Sequence, residues 1–268
     1  MKLRFIIADS GGSNTTWAKI SDSGNVAYQV TESLHPKYLL KDDNLLSRIL
    51  EEVGVENVPI FFYGAGCSSV EMQQTIKEKF SKIDMNQVEV YPDTLAACRA
   101  LLENNKGWVG IFGTGSVLVY FDGNKITEQL GGYGSLIGDE GAGFYFGKLY
   151  LKELLATDFW REDQKTLFKD RASVLKHLAS PDAQAWISSI ASVVSALKVE
   201  AIHEANVEAF ISSIDKHKNR INQIAALGSY VHAQKEIFTK CFKNHQIELK
   251  SVLKGPIENL VSYHLHRL

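Results

Sequence analysis

The chain has 268 residues, 45% of them hydrophobic, with 29 basic side chains against 31 acidic ones. That length can bury a full core in one large or two small domains, and the near-neutral balance excludes nucleic-acid binding through a general basic field. Three scattered cysteines, Cys67, Cys98 and Cys241, show no CxxC or Cys/His spacing for structural zinc and fit a reducing compartment.

The chain opens on an apolar run that Asp9 and two glycines end too early for a signal peptide. No later run approaches a membrane span, so a cytoplasmic protein with no membrane partner is expected. Phe5-Ile-Ile-Ala-Asp9 reads as a strand, Ser10 to Ser13 as a glycine-and-hydroxyl turn, and Thr15 to Ile20 as a second strand. An Asp22/Gly24 turn and a third strand from Val26 to Val30 follow. Leucines at 39, 40, 45, 46 and 50 predict a helix over Leu39–Val53. Pro59–Tyr63 predicts a buried strand, and Ser68/Ser69 cap a helix running to about Phe80. Val88–Tyr91 is a further strand that leads into a helix from Asp93 to Leu102.

Asn104-Asn105-Lys106-Gly107 marks a domain boundary by composition. Beyond it the opening design returns: strand Val109–Phe112, turn Gly113-Thr114-Gly115-Ser116, strand Val117–Phe121, an Asp122-Gly123-Asn124 turn and a third strand to Leu130. A glycine-dense stretch from Gly131 to Gly147 passes into a helix ending near Leu155, with Asp139 and Glu140 expected to open it. Residues 159–218 read as helical throughout, broken at Pro181, and His203, His217, His232 and His245 are expected on solvated helix faces. A strand at Ile221–Leu227 meets Gly228-Ser229, which starts a helix to about Phe242; Gln246–Leu249 fits a strand and Gly255-Pro256 starts a terminal helix. The expectation is an α/β protein with mixed sheets. Its N-terminal domain covers 1–105 and its C-terminal domain covers 106–255, with a helical insert at about 159–218. The helix 256–268 packs back on the first domain.

Two meanders that each present a backbone-rich turn suggest like-folded halves facing each other, because bare N–H groups converge on phosphate where no side chain intervenes. Gly-x4-Gly-Lys-Ser/Thr is absent, which excludes a P-loop. Asp9, at a strand end beside the first turn, suits Mg2+ held directly or through water, or else it braces its own turn. Asp93, between strand and helix, is either a helix-start carboxylate or a general base for a hydroxyl attacking a γ-phosphate. Six glycines among Gly131 to Gly143 cost backbone entropy on ordering. That cost points to close approach of a ligand, with Asp139 and Glu140 accepting hydrogen bonds from sugar hydroxyls. No histidine spacing suits a metal.

These residues resemble the N-acetylglucosamine kinases, in a group shared with the activating ATPases of 2-hydroxyacyl-CoA dehydratases, within the superfamily of sugar kinases, actin and Hsp70-type ATPases. Asp9-Ser-Gly11-Gly12-Ser13 matches the first phosphate motif, Asp93-Thr-Leu-Ala-Ala the segment with the catalytic aspartate, and Gly113-Thr114-Gly115-Ser116 the second phosphate motif. Gly132-Tyr133-Gly134 through Gly138-Asp139-Glu140-Gly141 resembles the sugar-binding signature, and Gly228-Ser229 the adenosine motif. The resemblance implies two ribonuclease-H-like domains around a central cleft, the actin-like ATPase fold. It also implies an ATP-dependent phosphotransferase acting on the 6-hydroxyl of an N-acetylated amino sugar, N-acetylglucosamine by default.

In that reading Asp93 is the catalytic base and Asp9 positions Mg2+, while Gly11, Gly12, Ser13, Asn14, Thr15 and Gly113 to Ser116 hold the ATP phosphates. Gly228 and Ser229 take adenosine; His35, Tyr133, Gly134, Asp139 and Glu140 take the sugar. A homodimer is expected, its surface supplied by 159–218. Asn14 stands where the family often has lysine, Thr16 where an aspartate is common, and His35-Pro36 where an Asn-Pro or Asn-His pair is common. Tyr133 replaces a tryptophan, and the adenosine turn continues with Tyr230 rather than valine. Two other readings stay open. A sugar- or nucleotide-sensing relative without turnover would act through protein contacts, since the first strand starts too early for a preceding DNA-binding domain. A dehydratase-activating ATPase would need a cluster-binding cysteine, and none lies between Cys98 and Cys241.

Overall fold

The computed structural model describes residues 2–55 and 57–267. The chain divides into two compact units, residues 1–104 with 255–268 and residues 105–254.

The first unit is built on strands β1 (Leu3–Ser10), β2 (Asn14–Ser21), β3 (Val26–Glu32), β4 (Ile60–Gly64) and β5 (Val88–Pro92). They form one sheet in the order β3-β2-β1-β4-β5. The meander β1-β2-β3 is antiparallel, whereas β1, β4 and β5 run parallel. Phe5, Ile6, Ile7 and Ala8 of the central strand are fully buried, as a strand covered on both faces requires. Helices α1 (Pro36–Leu39), α2 (Leu45–Val53), α3 (Val70–Ser81) and α4 (Asp93–Leu102) connect the strands. The single helix expected over Leu39–Val53 is broken. Asp42 Oδ1 accepts from the Asn44 amide at 2.9 Å, and this side-chain turn competes with the helical hydrogen bonds. Ser69 caps α3 by accepting from the Met72 amide at 3.1 Å.

In the second unit β6 (Gly107–Phe112), β7 (Ser116–Phe121) and β8 (Ile126–Gly131) form the repeated meander, and α5 (Gly143–Leu155) follows. Helices α6 (Glu162–Phe168), α7 (Arg171–Leu178), α8 (Ala183–Val193) and α9 (Glu200–Ser213) fill the helical region, with a 3-10 turn at Asp215–Arg220. This stretch is several short helices rather than helical throughout: beyond the break at Pro181, Lys169 turns the chain at φ 65°. Then come β9 (Gln223–Leu227), α10 (Ser229–Ala233), α11 (Lys235–Asn244) and β10 (Glu248–Leu253). The helix expected from Ser229 to Phe242 is thus divided at Gln234. The sheet order is β10-β9-β6-β7-β8. With β6 in the place of β1, this is the first sheet's topology again, three antiparallel strands extended by two parallel ones. The sequence repeat is therefore a structural one.

The terminal helix α12 (Ile257–Leu265) packs on α4, β1 and β2. Its His264 ring stacks on Phe61 at 3.9 Å, and Nε2 lies 2.8 Å from the Tyr63 hydroxyl. Arg99 donates to that same hydroxyl at 2.7 Å. Arginine has only donors, so Tyr63 accepts from Arg99 while its hydroxyl also hydrogen-bonds with His264. Burial, reinforced by Arg99 and Arg267, pushes His264 down from 6.5 to about 3. Between those values the unfolded chain binds a proton that the folded chain does not. The stability from this group is therefore complete above pH 6.5 and is lost progressively as pH falls towards 3. His264→Gln should lower the urea midpoint at neutral pH yet make it fall less between pH 7 and 5 than in the wild type.

Candidate functional site

Each unit carries its candidate residues on the edge where its parallel strands end, the edge at which α/β sheets bind ligands. In the first unit, register sets Ser10 opposite Gly64 and Gly64 opposite Pro92. Asp9 and Asp93 therefore share one edge, with β4 between them, across about 10 Å of sheet by strand spacing. Burial and then the charge of Asp93 raise Asp9 to about 7. Asp93 is the first residue of α4, and its Oδ1 accepts from the Thr94 amide at 2.9 Å. Burial nonetheless raises its pKa, against the pull of that amide.

The turn between β1 and β2 closes through the Gly11 amide on the Asn14 carbonyl, 2.9 Å. Ser33 donates to the Gly11 carbonyl at 2.6 Å, which leaves Gly12, Ser13 and Asn14 exposed at the tip. Thr15 points the other way. It is fully buried, donates to Ser10 Oγ at 2.9 Å and accepts from the Leu34 amide at 3.0 Å. Its hydroxyl braces the turn and is not offered to a ligand. His35 begins α1, where its Nδ1 accepts from the Lys37 amide at 3.0 Å, so the neutral ring carries its proton on Nε2. Burial and Lys37 keep the ring neutral by lowering its pKa. Gly66, at φ 81°, leaves room for it: a Cβ there would lie 2.9 Å from His35 Nε2.

Among the described residues no cluster of three His, Cys, Asp or Glu side chains is arranged to hold a metal. Asp9 still fits Mg2+, which keeps most of its water and takes one or two carboxylates together with substrate phosphates. The three cysteines are free and buried. Burial pushes the thiols of Cys67 and Cys98 up to about 12 and that of Cys241 to about 11.

In the second unit the turn after β6 is held from two sides. Asp139 Oδ1 accepts from the Ser116 amide at 3.1 Å, and Ser116 Oγ donates to the Glu140 carbonyl at 2.7 Å. The Gly143 and Phe144 amides donate to the Gly113 and Thr114 carbonyls at 2.9 and 3.1 Å. A Cβ on Gly115 would come within 2.7 Å of Asp139 Oδ1, so a side chain there would displace the carboxylate. Asp139 was expected to open the helix. Instead α5 begins at Gly143, and Asp139, at φ 68°, turns its buried carboxylate onto the Ser116 amide. Burial raises its pKa despite that amide. Tyr133 is 68% exposed and Gly134 is held at φ 78°, both on the open side of the segment, while Glu140 is half-buried.

Gly228, at φ 137°, packs its Cα against the Phe112 carbonyl, where any Cβ would collide. Gly113, Thr114, Ser192, Ser229 and Gln234 line a cavity of about 270 Å3 that is closed on one side by Tyr230. Its walls are neutral hydroxyl, amide and aromatic groups, chemistry that suits a nucleoside. One histidine departs from expectation. His203 is buried rather than solvated, stacked on Phe146 at 4.0 Å, and burial pushes it down to about 4. His203 and Asn206 were not marked by the sequence, because Tyr230, the partner they share, lies on a different helix.

Asp139→Ala should leave the Ser116 amide without its partner and cost about 1–3 kcal/mol of stability. Asp139→Asn, which keeps an acceptor oxygen, should cost less; chemical unfolding of the two variants side by side checks the order.

No family model matches the chain. It is 23% identical to an N-acetylmuramic acid/N-acetylglucosamine kinase of Clostridium acetobutylicum, over 97% of this chain and 88% of that one. A solved structure of a candidate N-acetylglucosamine kinase from Porphyromonas gingivalis is 25% identical and superimposes with a TM-score of 0.85, covering 98% of this chain and 99% of that one. A second candidate N-acetylglucosamine kinase, from Chromobacterium violaceum, is 17% identical with a TM-score of 0.71, over 98% and 99% of the two chains. In sequence along nearly all its length, and in fold, the chain is thus similar to the N-acetylglucosamine kinases, with the α/β architecture of the actin-like ATPases.

Proposed function

We propose that the protein is an ATP-dependent sugar kinase that phosphorylates the 6-hydroxyl of an N-acetylated amino sugar, N-acetylglucosamine first among them. The observation that carries the reading is the pair Asp9 and Asp93 on one sheet edge, beside a glycine turn whose tip is open. In this reading Asp93 takes the proton of the sugar hydroxyl as its oxygen bonds to the γ-phosphorus, and the bond to the ADP oxygen breaks. A base raised by burial above an ordinary carboxylate is better matched to that proton.

The open tip of the Gly11–Asn14 turn, and the Thr114 and Gly115 amides of the second turn, supply backbone N–H groups to phosphate oxygens. The neutral cavity at Ser229 and Gln234 takes the nucleoside. Mg2+ bound through water to Asp9 would neutralise charge on the phosphates. His35, with its proton on Nε2, is a hydrogen-bond donor for the sugar; Tyr133 and Glu140 offer an exposed ring and a carboxylate to it. Asp139 acts from behind by holding the Ser116 amide, and Thr15 by holding Ser10.

ADP release from Mg-ATP, measured across hexoses and N-acetylhexosamines, tests this reading. Turnover is expected with an N-acetylated amino sugar. Asp93→Asn should lower kcat by about a hundredfold to ten-thousandfold while nucleotide binding is retained. Release of ADP with none of the sugars would overturn the assignment.

A further inference from the structure

A buried polar cluster in the second unit joins the glycine-rich segment to the nucleotide cavity. Asn206, on α9, accepts from the Gly141 amide at 2.8 Å and donates to the Ala142 carbonyl at 3.0 Å. Its remaining N–H donates to the Tyr230 hydroxyl at 2.9 Å. That hydroxyl accepts from Asn206 and also hydrogen-bonds with His203 Nδ1, 2.7 Å away. Burial holds the His203 ring neutral. All three side chains are nearly or fully buried, where a polar group left without its partner is costly.

Tyr230 has two sides. Its ring borders the 270 Å3 cavity of Thr114 and Ser229 and stands 3.7 Å from where a Cβ on Gly143 would lie. Its hydroxyl is directed away from that cavity, onto Asn206. Asn206 in turn grips the Gly141 amide and Ala142 carbonyl immediately after Asp139 and Glu140, with Gly141 itself held at φ 83°.

We infer that Tyr230 and Asn206 are positioning residues for the acceptor. The tyrosine, whose ring borders the nucleotide side, fixes the Asn206 amide through its hydroxyl, and that amide fixes the segment from Asp139 to Ala142. The inference rests on the kinase reading, with that segment on the sugar side and the cavity on the nucleotide side.

Steady-state kinetics of Tyr230→Phe, with each substrate varied in turn, test it. The variant keeps the ring and loses one hydroxyl. The KM for the sugar should rise about fivefold, the equivalent of one ordinary buried hydrogen bond. The KM for ATP should change by less than about twofold. Asn206→Ala should raise the sugar KM further, and the double variant should be no worse than Asn206→Ala alone, because both act through one contact. Thermal unfolding run in parallel identifies a merely structural role, which would lower the folded fraction and leave both KM values unchanged. That result, or a rise confined to the ATP KM, overturns the inference while the kinase reading stands. A wild-type chain that neither turns over nor binds sugar, by calorimetry, overturns the kinase reading and the inference with it.

Discussion

The Ser116 amide held by the Asp139 carboxylate is the interaction on which the second unit's site depends. A turn that presents backbone N–H groups to a ligand cannot use them all to hold its own shape. Here one bond lies within the turn, from the Gly113 amide to the Gly115 carbonyl, and the rest of the bracing comes from outside it, through Asp139, the Glu140 carbonyl and the first amides of α5. The price of this arrangement is strict glycine use: Gly115 makes way for the carboxylate and Gly228 for the Phe112 carbonyl. The first unit reaches the same end with hydroxyls. Ser10, Thr15 and Ser33 tie the backbone around Gly11 to Leu34 and His35, so the tip of the turn stays open.

Burial raises the cost of ionising both Asp9 and Asp93, and the charge of Asp93 adds to it at Asp9. Asp9 bears more of this, at about 7. A cation near Asp9 would relieve it, and phosphate oxygens would share that cation. Asp93 keeps a carboxylate whose basicity is raised yet steadied by the Thr94 amide. In the proposed reading, position alone divides two acidic side chains of the same type between two tasks.

Much of this was legible in the sequence because it is local. Strand, glycine turn, strand and Asp/Gly turn occur in one short stretch, and their recurrence at Val109 announced the second sheet with the same topology. The head of α4 at Asp93 followed Pro92 as expected. Features that depend on distant partners were not legible. Asp139 looked like a sugar-binding or helix-start residue, since nothing local shows that the Ser116 amide would come to it. His203 sits among Glu200, Glu204 and Asn206, a polar run that reads as solvated until Tyr230, 27 residues on, closes over it. Leu39–Val53 had the periodicity of one helix, and the Asp42–Asn44 turn overrode it.

The central claim is transfer of the γ-phosphoryl group to a sugar hydroxyl. Phosphorus NMR of the protein with Mg-ATP and N-acetylglucosamine observes that transfer directly. The account predicts loss of the γ-phosphate signal, with growth of a phosphomonoester coupled to the protons on the sugar's sixth carbon. Inorganic phosphate as the sole new signal, or a γ-phosphate signal that persists unchanged, would contradict it.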